Sequence, residues 1–163
     1  LHDNELTGSI PDYFSKMPKL RVFSIGNNEM VGSIPSSLAE STSLVSLLLY
    51  ENELSGSVPD FASTKLQLVH LDNNGFTGLL PSLRAFTTGK LQELHLEDNN
   101  ITGIIPTELG DHINLKLLWL DHNSLTGIVP RSICDLKLEH DLVSLRATCA
   151  GSNPGLTCSC CDC

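Results

Sequence analysis

The sequence predicts an α/β solenoid: a right-handed superhelix of short coils whose strands line up as one parallel sheet on the concave side. Two observations carry that prediction. The chain repeats itself about every 24 residues, and each repeat joins a strand-like half to a turn-rich half. Residues 20–35, 44–59, 66–81, 91–106 and 115–130 all align on the pattern L-x-x-L-x-L-x-x-N-x-L-x-G-x-I-P, and a truncated copy runs from Leu1 to Pro11. No such unit buries its apolar face alone, so each must stack on its neighbours.

Each recurring slot has a physical job. Apolar residues at the first, fourth and sixth slots, with polar residues between, describe a strand with alternate side chains pointing inward. This places strands near residues 22–25, 46–49, 68–71, 93–96 and 117–120. Asn4, Asn28, Asn52, Asn74, Asn99 and Asn123 follow the strands, where the chain must turn. An amide offers donors and an acceptor together, so a stacked row of asparagines can satisfy the backbone groups the turn exposes. Gly8, Gly32, Gly56, Gly78, Gly103 and Gly127 fall where positive φ or close backbone approach is expected. The prolines at the end of the motif direct the chain to the convex side, where a missing N–H is tolerable and short helical or 3₁₀ turns are expected. Successive ladder asparagines are 24, 24, 22, 25 and 24 residues apart, which predicts a trimmed convex segment around Asp60 to Lys65.

This pattern resembles the leucine-rich-repeat family, and its L-x-G-x-I-P half resembles the plant-type subclass found in receptor-kinase ectodomains and secreted polygalacturonase inhibitors. The resemblance covers residues 1–140, about six repeats. Residues 141–163 read as a C-terminal cap: Leu142 to Cys149 is a degenerate seventh strand, and the Gly-, Ser- and Cys-rich stretch after it abandons the repeat. The chain begins inside a repeat, an expectation being that it is the C-terminal part of a longer protein.

Cys134, Cys149, Cys158, Cys160, Cys161 and Cys163 form an even set gathered at one end, which favours disulfides in an oxidising compartment. Six cysteines allow 15 pairings, and spacing does not choose among them. A metal held by Cys158 to Cys163 is the competing reading, but the two-residue gap of a zinc knuckle is missing. One bridge is expected to tie the tail to the last coil through Cys134 or Cys149. The tail is also similar to that of secreted or membrane-tethered leucine-rich-repeat proteins of diatoms and related algae. Ser132-Ile133-Cys134, Leu145 to Cys149 and Cys158 to Cys163 carry the likeness, with Asp162 alone separating the last two cysteines where that pattern has two residues.

A net charge of −9, from ten Lys and Arg against nineteen Asp and Glu, excludes a basic nucleic-acid footprint and a basic lipid-binding patch. No run of 18 apolar residues is present to span a membrane. Neither phosphate-binding, serine-hydrolase, zinc-protease nor kinase motifs occur, so catalysis has no support and no cofactor is assigned.

Binding does have support, because the solvent-facing columns of the concave sheet are the surface repeat proteins use for partners. One column reads Ser24, Leu48, His70, His95, Trp119; the next reads His2, Gly26, Tyr50, Asp72, Glu97, Asp121; a third reads Asp3, Asn27, Glu51, Asn73, Asp98, His122. Polar residues there are also what any solvated sheet face requires. Aromatic and acidic clustering nevertheless singles out Tyr50, His70, Asp72, His95, Glu97, Trp119, Asp121 and His122 as ligand-binding candidates. Carboxylates near the histidines are expected to favour the charged imidazolium, so that acidification weakens attraction for a basic ligand. His70, His95, Asp72 and Glu97 could assemble a metal site on adjacent strands, but nothing in their spacing demands one and no metal is assigned. Asn100-Ile101-Thr102 is a single glycan acceptor triplet, expected beside the ladder at the rim of the concave face.

The expectation is therefore a non-catalytic extracellular or cell-surface module that binds a protein, peptide or glycan, one with a basic patch being favoured. Two other readings stay open: an ectodomain fragment of a membrane signalling receptor, or a structural or adhesive protein without a specific ligand.

Overall fold

In a computed structural model, residues 1–63, 65–81, 90–147 and 155–162 are described. Strands Val22–Ser24, Ser46–Leu48, Leu68–His70, Glu93–His95, Leu117–Trp119 and Ser144–Arg146 form one parallel sheet in chain order. Five of these sit where the repeat predicts them, and the sixth is the degenerate strand. Leu47, Val69, Leu94, Leu118 and Leu145 at their centres are all buried, because the period-2 alternation aims them into the spine between the two faces.

The turn-rich half holds more order than the sequence suggested. Strands Thr7–Ser9, Glu29–Gly32, Glu53–Ser57, Gly75–Leu79, Asn100–Gly103, Ser124–Ile128 and Gly155–Thr157 build a second parallel sheet of seven strands. Glycine at every turn masked this from sequence reasoning, since glycine weakens strand propensity. Each motif glycine sits at φ between 81° and 91°, as its slot required. The last of the seven strands belongs to the cysteine-rich tail, so that segment continues the repeat here instead of abandoning it.

The asparagine ladder joins the two sheets. Nδ2 of Asn99 donates to the carbonyls of Leu71, Leu96 and Glu97 at 3.0 to 3.2 Å, while its Oδ1 accepts from Phe76 N–H at 2.9 Å. Asn52, Asn74 and Asn123 repeat this bonding coil after coil. Each amide thus closes its own turn and clamps the preceding coil.

Among the described residues the convex segments of the earlier coils are short, as expected: 3₁₀ turns at Phe14–Lys16 and Thr107–Asp111, and a helical turn at Ser36–Ala39. The last coil differs, with a nine-residue helix over Arg131–Glu139 that buries Ile133, Cys134 and Leu136. Disulfides Cys134–Cys160 and Cys158–Cys161 fix the tail to this helix and to itself. Cys149 and Cys163 lie outside the described residues. Lys137 reads from sequence as an outward convex residue, but its Nζ pairs with Asp162 and donates to the Cys160 carbonyl at 3.2 Å. Asp162 in turn accepts from Leu145 N–H at 2.9 Å, docking the tail on the end of the first sheet.

Candidate concave-face binding site

Strand register brings the candidate side chains into rows. His70 lies beside His95, His95 beside Trp119, and Trp119 beside Arg146. Their planar groups stack in one pile: His70 on His95 at 4.1 Å and 1°, His95 on Trp119 at 4.1 Å and 22°, and the Arg146 guanidinium 4.9 Å from the Trp119 ring centre. Strand spacing of about 4.8 Å is what allows flat side chains at matching positions to form such a pile. His70 Nε2 is 2.9 Å from Glu93 Oε2, and Trp119 Nε1–H donates to Ser144 Oγ at 3.1 Å. The indole is thus half-buried and held on both faces, where the sequence suggested a large exposed ring.

Asp72, Glu97 and Asp121 form the neighbouring row. Here burial departs from the sequence reading: His95, Glu97 and Asp121 are only 8%, 7% and 0% exposed, although all three occupy slots read as solvent-facing. His95 is sandwiched between His70 and Trp119, and Asp121 lies against Arg146. Asp121 Oδ2 pairs with Arg146 Nη2 at 2.6 Å, and His122 Nδ1 lies 3.3 Å from the same oxygen. His95 Nε2, Glu97 Oε2 and Asp121 Oδ1 are buried without a hydrogen-bond partner.

Burial also overturns the expected charging of His95. Desolvation, with His70 and Arg146 adding to it, pushes its pKa down to about 3, so the ring stays neutral at physiological pH. Glu97 moves the other way, up to about 7, because burial and the charges of Asp72 and Asp121 disfavour its anion. Burial raises Asp72 as well.

Tyr50 stands apart, one strand before Asp72. Its ring lies across the backbone of Gly26, where a Cβ would sit 2.4 Å from the ring carbons. The third column has a local cause: Asp3, Asn27, Glu51, Asn73, Asp98 and His122 all have φ between 50° and 58°. Asn and Asp tolerate that left-handed turn best, so their abundance there follows from backbone geometry and not from a ligand. His122 is exposed at this turn and bridges Asp98 (3.5 Å) and Asp121. Asn100 is exposed on the second sheet, one residue beyond the ladder, and Thr102 Oγ1 donates to the Gly78 carbonyl at 3.1 Å. Arg146, Glu93 and Ser144 escaped the sequence reading. Extending the repeat register through the degenerate strand would have placed Arg146 in the slot that follows Trp119.

Among known proteins, a leucine-rich-repeat family model matches residues 89–140. No curated protein sequence matches the chain. The structure of a TDR receptor is 32% identical over 97% of this chain and 26% of its own length, with a TM-score of 0.85. A plant peptide hormone receptor, RGFR1 in complex with RGF2, is 32% identical over 89% of this chain and 23% of its own, with a TM-score of 0.82. A plant ice-binding protein is 32% identical over 97% of this chain and 49% of its own, with a TM-score of 0.77. The chain thus spans about a quarter of the length of these two receptors. Repeat pattern, family model and superposed fold agree, and the chain belongs to the leucine-rich-repeat family, in its plant-type subclass.

Proposed function

We propose that this chain is a non-catalytic extracellular recognition module that binds a peptide or protein through its concave face, as part of a receptor-like ectodomain. The observation that carries this reading is the rigid six-strand face bearing Tyr50, the His70–His95–Trp119 stack and an acidic row, in the fold of a plant peptide hormone receptor solved with RGF2. Strands locked by the ladder present these groups without ordering cost on binding. The excess of carboxylates favours a partner with basic residues, and steering by that charge makes association faster at low salt.

A screen of secreted basic peptides against the immobilised chain tests this, followed by titration of any hit. Tyr50→Ala and Asp72→Asn are expected to weaken binding tenfold or more in combination, with a steep salt dependence. A hit whose affinity ignores both changes, and responds to convex-side changes instead, would move the site off the concave face.

A second reading, adsorption to ice, is favoured by a different surface. On the second sheet, Thr77, Thr102, Thr126 and Thr157 occupy one exposed column, each Oγ1 donating to a glycine carbonyl of the preceding coil at 3.1 to 3.4 Å. Such a regular row of fixed methyl and hydroxyl groups is what an ordered water lattice can match, and the ice-binding relative shares this fold. Ice-recrystallisation inhibition that disappears in Thr102→Lys/Thr126→Lys would establish it over peptide recognition; wild-type protein without inhibition would remove it.

A further inference from the structure

We propose that Asp72, His95 and Glu97 form a divalent-cation site on the concave face, with an open coordination position. The three residues come from two adjacent strands and the turns that follow them, and one donor atom from each lies within 4.8 Å of the others. An acidic pair alone would mean little. Here, however, Glu97 is more than nine-tenths buried and its Oε2 has no partner, and the buried ring of His95 likewise leaves Nε2 unpaired. Unpartnered buried polar atoms are costly, and a cation bound between them would remove that cost.

The surrounding charges leave the position open. Arg146 is committed to Asp121 at 2.6 Å, and neither Asp72 nor Glu97 has a salt-bridge partner among the described residues. A second triplet, His70, Glu93 and His95, shares the imidazole, but its His70 and Glu93 already bond each other at 2.9 Å. The donor set sharpens the choice of ion. One imidazole nitrogen with two carboxylates suits zinc or a similar borderline ion, whereas calcium takes six to eight oxygens. Three protein ligands leave a zinc ion one further position for water or a partner's donor atom. Asp72, the half-exposed member, gives the ion its route in from solvent.

The test titrates the intact, disulfide-bonded protein with zinc chloride by calorimetry, and with cobalt(II) by absorption spectroscopy. One equivalent should bind. Asp72→Asn, close in shape and only partly buried, should weaken zinc at least tenfold, as should Glu97→Gln, while Asp98→Asn, exposed on the same face, should leave it unchanged. Circular dichroism on each variant establishes that the fold is kept, and should Glu97→Gln lose it, Asp72→Asn decides alone. The cobalt form should show visible d–d bands without a thiolate charge-transfer band. Absence of stoichiometric zinc uptake, uptake indifferent to Asp72→Asn, or a thiolate band placing the ion on cysteine would overturn the proposal.

Discussion

Asp121 and Arg146, one coil apart, form an ion pair of 2.6 Å in which the carboxylate is fully buried and the guanidinium also covers the Trp119 ring. A paired charge of this kind is expensive to break, because removing one partner strands the other without water.

Arg146→Ala is therefore expected to lower unfolding stability by about 2 to 3 kcal/mol, below the usual range of about 3 to 5 for fully buried pairs because the arginine itself is partly exposed. Arg146→Ala/Asp121→Asn should recover part of that loss. Urea denaturation of Arg146→Ala, Asp121→Asn and the double variant decides it: a double loss equal to the sum of the two single losses would mean the pair carries no coupling.

Asn99→Ala removes four hydrogen bonds and strands the buried Phe76 N–H, while the Leu71, Leu96 and Glu97 carbonyls each keep one other donor, from Asn74, Asn123 and Asn73. The expected cost is about 2 to 4 kcal/mol. Asn4→Ala, whose exposed side chain donates to the Leu1 and His2 carbonyls, should cost under about 1 kcal/mol by the same rule. Comparable losses in chemical denaturation would contradict a ladder in which interior rungs matter most.

Gly8 and Gly103 share a left-handed φ of 86° and 85°, but only at Gly103 would a Cβ meet an atom closely, 2.5 Å from Leu79 Cδ2. Gly8→Ala should cost about 1 to 2 kcal/mol from backbone strain alone. Gly103→Ala should exceed it by a few tenths, since Leu79 is exposed and its end can swing aside. Thermal unfolding of both variants measures the difference.

His112 is buried, and burial lowers its pKa from an ordinary 6.5, so the unfolded chain takes up a proton that the folded chain resists. Its stabilising contribution is thus complete above the unfolded pKa and is lost as pH falls through and below that value. Between pH 7.5 and 5 the wild type should lose more stability than His112→Leu does. Parallel pH profiles of the two proteins would remove His112 as a source of acid sensitivity.

Period and slot chemistry made the first sheet, the ladder and the glycine turns legible, because each depends on contacts that recur identically in every coil. Asn28, Asn52, Asn74, Asn99 and Asn123 could be assigned their role from spacing alone. Individual environments could not be read the same way. Burial of His95 and Asp121 depends on which large groups lie beside them, and that is settled by Trp119 and Arg146 on the following strands. The second sheet was missed because Gly8 and its equivalents signal turns locally, while the pairing that makes strands of their flanks comes only from the neighbouring coil.

The left-handed column from Asp3 to His122 also limits how this surface can diversify. Only residues that accept an inverted backbone are cheap there, and four of its six members are Asn or Asp whatever is being recognised. Innovation on the face is channelled into the two columns beside it, where coils differ most freely: Tyr50, Asp72, Glu97 and Asp121 in one, Leu48, His70, His95 and Trp119 in the other. A library built to give this scaffold a new ligand would vary those eight positions and leave the inverted column untouched.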